Sequence, residues 1–197
     1  MNSYIVKEIL RFDPEKPSAS IQTQIIATIS ILILSTFTFT VIMRNLSSTF
    51  SDTLDNDKEK EYKSMTEKGI TKSSLAIGEF FNGSIHAPIS EELFFRFLVF
   101  KIIFVRIFKL NPHVANILQA FIFGSLHMTN TVYSDQHINM SIAQSISSGI
   151  SGLINGYSYY YTNSILPAIA AHMINNLCAS YDQVKSYSHF LKEKQIN

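Results

Sequence analysis

Uncharged stretches alternate with charged ones along this chain, and their lengths predict its elements. Residues 1–20 carry Lys7, Glu8, Arg11, Asp13, Glu15 and Lys16 with two prolines, and read as a polar amphipathic N-terminal segment. Ile21 to Met43 then gives 23 residues without a charge, which fits a membrane-spanning helix of about 20 residues with some tilt. A secretory signal would have an apolar core of about 7–15 residues followed by a cleavage site, so this longer run reads as a retained anchor. Residues 44–84 read as a charged loop and linker. Arg44 to Lys72 holds six Lys/Arg and six Asp/Glu, as an exposed loop or a solvated helix, and Ser73 to Ile85 is too short and too polar to stand as a span by itself.

Further on, the pattern predicts helices over 88–109, 113–128, 140–161 and 163–180. Pro88 suits the first turn of a helix, where its missing N–H costs nothing, and Ser90 with the following glutamates favours that terminus. Asn111-Pro112 marks a turn, and the loop from Thr129 to Asn139 has no Lys or Arg. Gly149, Gly152 and Gly156 recur at helical spacing, a stripe of small residues that lets helices approach closely in lipid. Tyr157 to Tyr161 resembles an interfacial aromatic belt. A polar tail with three lysines occupies 182–197. The expected fold is all-α: a polytopic helix bundle in the cell membrane, of about five transmembrane helices. Lys101, Arg106 and Lys109 place the 109–113 turn, and with it the N-terminus, on the cytoplasmic side. The lysines of the 44–72 stretch argue against that orientation.

Composition supports lipid as the solvent, with 46% hydrophobic and 16% charged residues against roughly 25% charged in soluble domains. The net charge of +1 gives no field for nucleic acid. A single cysteine, Cys178, has no disulfide partner and supplies no cysteine-based zinc site; it reads as a small buried hydrophobe.

Against this background Pro88-Ile-Ser-Glu-Glu-Leu-Phe-Phe-Arg-Phe97 is out of place, because ionisable groups in an apolar run are costly and mark functional sites. Glu92 and Arg96 are spaced i,i+4 with the acid first, the favourable order for an intrahelical ion pair. Glu91 is rotated about 100° away and left to face other helices. Two of those carry histidines: His127 four residues after Phe123, and His172 four residues before Asn176, each pair on one helix face. His86, His113, His137 and His189 lie at segment ends or in loops and default to solvated surface.

These residues carry a family resemblance. Glu91-Glu92-Leu-Phe-Phe-Arg96 resembles the E-E-x-x-x-R motif, Phe123-Gly-Ser-Leu-His127 the F-x-x-x-H motif, and His172-Met-Ile-Asn-Asn176 the H-x-x-x-N motif of the CPBP family (CAAX protease and bacteriocin-processing, or Abi) of intramembrane endopeptidases, in the same order. Ala87-Pro88 fits the usual lead-in, while Phe97 departs from the glycine often found after the arginine. The resemblance makes 85–181 the protease core, in the last four helices.

It implies peptide-bond hydrolysis inside a membrane cavity, acting on a peptide or membrane-protein substrate. Glu91, poorly solvated, is expected as general base on a water held jointly with His127. His172 and Asn176 would donate hydrogen bonds to the tetrahedral oxyanion, and Glu92 with Arg96 would be the structural pair behind Glu91. No cofactor is required. A zinc-dependent version, with Glu91, His127 and His172 as three ligands, is the second choice, since the H-E-x-x-H spacing is absent. Ser125 and Cys178 lack a helix-spaced base and rank below as nucleophiles. The competing reading is a non-catalytic membrane scaffold or bacteriocin-immunity protein that keeps the polar set as a structural network. A transporter fits worse, because no paired repeats are visible. Prenylated protein, leader peptide, pheromone and bacteriocin all stay open as substrates.

Overall fold

The computed structural model describes residues 3–133 and 138–196, all of whose regular elements are helical. Helix α1 is Ser3–Leu10 and α2 is Ile21–Glu67, 47 residues long. From Lys72 to Ile107 the chain is helical without a break: α3 (Lys72–Gly78), a wide-turned π segment (Glu79–His86), α4 (Ala87–Glu92) and a second π segment (Leu93–Ile107). Helix α5 (Pro112–Leu126) leads through a tight turn at His127–Thr129 into the short α6 (Asn130–Tyr133). The long helices α7 (Ile138–Thr162) and α8 (Leu166–Ile196) complete the chain. His137 lies outside the described residues.

The start of the helix that carries Pro88 differs from the sequence reading for a physical reason. Pro88 does not begin a helix. Proline lacks an N–H and its ring collides with the carbonyl four residues back in a tight α-turn. Here the preceding turn widens, so that the Ala87 N–H reaches Asn82 O, five residues back, and the helix passes through. Of the two readings of the charged stretch after Met43, exposed loop or solvated helix, the helix holds as far as Glu67, where an i,i+4 pair, Lys63–Glu59 at 2.8 Å, lies on a solvated surface. A 47-residue helix is about 70 Å long at 1.5 Å per residue, more than twice a hydrocarbon core. Its second half packs through Tyr62 on Tyr187 and Phe190 of α8, which also runs well past the predicted end at Ser180.

Ile21–Ile42 is the one described stretch long and apolar enough to cross a membrane by hydropathy. Ile21, Ile26 and Phe37 are each more than 60% exposed, an apolar surface too large to face water. The other helices miss that measure because α5 is only 15 residues long and because α7 carries Asn, Gln, Ser and Gly among its aliphatics. Polar groups of both helices are turned inward: Asn116 and Gln119 of α5 and Ser141 and Asn155 of α7 are buried.

The α7 glycine stripe packs on α5. A Cβ on Gly152 would lie 3.0 Å from the Phe123 ring, and one on Gly156 only 1.8 Å from Asn116 Oδ1. Gly124 of α5 is as tightly held, with the Ser145 carbonyl 2.5 Å from where its Cβ would be. One core joins Phe100, Ala115, Tyr159 and Ile165, and a second joins Phe95, Val99 and Phe123. Tyr159 therefore leaves the expected aromatic belt for the interior, whereas Tyr161 is 69% exposed. The N-terminal segment is docked, with Phe12 between the rings of Phe100, Tyr159 and Tyr160.

Candidate active site

The site begins at the α4–π junction. Glu92 is fully buried, and its Oε2 lies 2.9 Å from Arg96 Nε, one turn on. Its Oε1 accepts from Asn155 Nδ2 of α7 at 3.0 Å and lies 2.9 Å from His172 Nδ1 of α8. One carboxylate thus ties three helices together. A buried charge is tolerated only when it is compensated: Oε2 of Glu92 is ion-paired with Arg96, and Oε1 is hydrogen-bonded to Asn155 and His172.

Arg96, also fully buried, donates from Nη1 to Gln119 Oε1 at 3.2 Å, and its guanidinium stands 4.7 Å from the centre of the Phe123 ring. Gln119 in turn donates to Asn116 Oδ1 at 2.7 Å and to the Gly152 carbonyl at 3.0 Å. Asn116 closes the chain on the Leu153 carbonyl at 3.0 Å. The bare Cα of Gly156 makes room for the two amides, since a Cβ there would also lie 2.9 Å from Gln119 Nε2.

Glu91 has a different environment from its neighbour. Its side chain is 36% exposed, and its Oε2 stands 3.8 Å from His172 Nε2. His172 therefore sits between the two glutamates: Nδ1 on the buried one, Nε2 toward the open one. The imidazole is 15% exposed, so the open edge of this arrangement is reachable from outside.

The other expected residues are placed less directly. His127 lies at the end of α5, with Nδ1 3.0 Å from the Phe123 carbonyl. Its ring and that of His172 border the same Phe123 ring, at 5.1 and 6.3 Å between centroids. Asn176 donates to the Gly83 carbonyl at 2.9 Å, tying α8 to the first π segment. That bond uses one of its two amide hydrogens. Among the described residues no three His, Cys, Asp or Glu side chains are gathered as a metal-binding set, and His127 does not join Glu91 and His172 in one.

Cys178 is exposed rather than buried. It shares an outward face of α8 with Leu177 and Tyr181, 45% and 66% exposed. His86, His113 and His189 are exposed; His113 packs on Tyr157 and Tyr160, and His189 pairs with Glu193.

Sequence reasoning missed Asn155, Gln119 and Asn116. A signal was present, because amides inside apolar helices are costly unless paired, and Asn116 and Gln119 share a helix face.

Comparison with known proteins fits this geometry. No curated protein and no solved structure matches the chain. The model of the Rce1-like family, described as type II CAAX prenyl endopeptidase Rce1-like, matches residues 73–178, more than half of the chain and the stretch that contains every residue of the site. The chain belongs to this family of membrane-embedded proteases.

Proposed function

We propose that the protein is a multi-pass intramembrane endopeptidase in which Glu91 activates water against a peptide bond of a membrane-associated substrate. The observation that carries this reading is the placement of His172 between two unlike glutamates, with Nδ1 at 2.9 Å from buried Glu92 and Nε2 at 3.8 Å from half-open Glu91.

In this reading a water is held between Glu91 and the free edge of His127. Glu91 takes a proton from it as the oxygen bonds to the scissile carbonyl carbon. The carbonyl oxygen becomes an oxyanion, which accepts from His172 Nε2–H. Glu92 supports that imidazolium from the Nδ1 side, and the second amide hydrogen of Asn176 adds a further donor. The C–N bond then breaks, and Glu91 returns the proton to the departing amine. Arg96 balances Glu92, and a cationic His172 is balanced by Glu91 before proton transfer and by the oxyanion after it, so no net charge is stranded in the bundle.

The family description makes a prenylated CAAX peptide the first substrate class to try, with unprenylated leader peptides beside it. Protein in lipid nanodiscs is expected to cut at least one such peptide, and Glu91→Gln to abolish cleavage while leaving the amount of folded protein unchanged. Normal cleavage by Glu91→Gln would overturn the assignment. Retained biological activity in a Glu91→Gln protein that does not cleave would favour the scaffold reading instead.

A further inference from the structure

Three buried amides surround the site, and two of them satisfy one another: Asn116 and Gln119 bond together and to α7 carbonyls. Asn155 is different. It is 4% exposed, its amide donates to Glu92 Oε1 at 3.0 Å, and its Oδ1 is buried without a hydrogen-bond partner among the described residues. A buried amide with an unpaired oxygen is a net cost to folding, so packing alone does not account for it. Its one bond lands on the oxygen that also meets His172 Nδ1.

A carboxylate beside an arginine is drawn to present both oxygens to the guanidinium fork. Glu92 presents one, Oε2, to Arg96 Nε, and its other oxygen is turned across the bundle. Asn155 reaches from α7 to that second oxygen and holds it toward α8. We infer that Asn155 is a positioning residue, keeping Glu92 Oε1 aimed at His172 so that Nδ1–H stays bonded to Glu92 and the second proton, the one that makes the imidazolium, is carried on Nε2 as the donor offered to the reacting carbonyl. This rests on the proposed role of His172 and adds what sets its orientation. The partner of one ring nitrogen fixes what the other can do.

The test reads the tautomer directly. Protein with 15N-labelled histidine in nanodiscs is observed at about pH 8.5, two units above the ordinary imidazole value, with the His172 signals assigned by His172→Gln. The wild type is expected to carry its proton on Nδ1, and Asn155→Leu to give a mixture containing Nε2–H. Against a farnesylated CAAX peptide, Asn155→Leu is expected to lose about 10–100-fold in kcat, the usual loss for an outer-shell partner, with KM held. If Asn155→Leu does not fold, Asn155→Ser, whose hydroxyl is too short to reach Glu92, serves in its place. A folded variant that keeps the wild-type Nδ1–H pattern overturns the inference. If the wild type cuts no peptide yet the tautomer still responds to Asn155, the peptidase reading falls and the positioning role stands.

Discussion

Adjacent carboxylates with opposite surroundings are the main feature at the residue scale. Glu92 is fully enclosed by Arg96, Asn155 and His172, whereas Glu91 keeps 36% of its side chain open beside the same histidine. Glu91→Gln keeps the shape and removes the base, so cleavage should fall by at least about 10²–10⁴-fold with membrane abundance unchanged. Arg96→Ala leaves Glu92 charged and buried with half its compensation gone, and breaking such a pair costs about 3–5 kcal/mol. Its effect should be lost protein, measured by quantitative blotting of membranes; normal abundance with lost cleavage would move Arg96 into the chemistry. The i,i+4 spacing of Glu92 and Arg96 was legible because an intrahelical contact depends only on the helical period. The contact of Glu92 with His172 was not, since 80 residues separate them and only the packing of α8 on α4 brings them together.

At the scale of elements, the site depends on how closely α5 and α7 approach. The glycine stripe of α7 could be read as a packing face from its spacing, but not its partner, nor the polar chain threaded beside it. Likewise Pro88 in isolation signals a helix start, and only the widened turn before it lets the helix run on from Lys72. Two substitutions test the interface. Gly124→Ala would put a methyl 2.5 Å from the Ser145 carbonyl and 2.9 Å from Gly149 Cα, backbone that cannot swing aside. Gly149→Ala would meet nothing closer than 3.5 Å. Thermal unfolding in detergent should show Gly124→Ala destabilised by about 1–3 kcal/mol, the ordinary cost of overpacking, with Gly149→Ala near wild type. Equal effects would mean that the two helices do not pack in this register.

Over the whole molecule, the N-terminal segment closes the end of the bundle remote from the Tyr62–Tyr187 pairing. Its composition read as a polar amphipathic segment without a partner, because the sequence cannot tell a charge facing water from one facing a distant partner. Lys101, 1% exposed, was read in the sequence only as one of three cations near the 109–113 turn. In the fold it pairs with Glu8 Oε1 at 2.9 Å and donates to the Glu8 and Arg11 carbonyls, while Arg106 meets the same carboxylate. Tyr159 donates to the Arg11 carbonyl at 2.9 Å, and Asn163, in a left-handed conformation with φ 49°, donates to the carbonyls of Asp13 and Lys16. Burial pushes the Glu8 carboxyl up, but hydrogen bonds and charge from Lys101 and Arg106 outweigh it and hold the group below its ordinary value of 4.5. A depressed carboxylate contributes stability that is fully present above the unfolded value and lost as pH falls through the folded one. Docking of Ser3–Leu10 should therefore be intact at neutral pH and weaken only below about pH 4.5. Lys101→Met keeps the length and removes the cation, leaving Glu8 largely buried without its main partner at a cost of about 3 kcal/mol, the low end for a broken buried pair. A spin label on Lys7→Cys, in a Cys178→Ala background because Cys178 is exposed, reports the docking. It should be immobile in the otherwise unchanged protein at pH 7, mobile in Lys101→Met at the same pH, and should loosen on acidification only where Lys101 is present. A label equally immobile in both proteins at pH 7 would show that Phe12 and the backbone bonds hold the segment without the buried lysine.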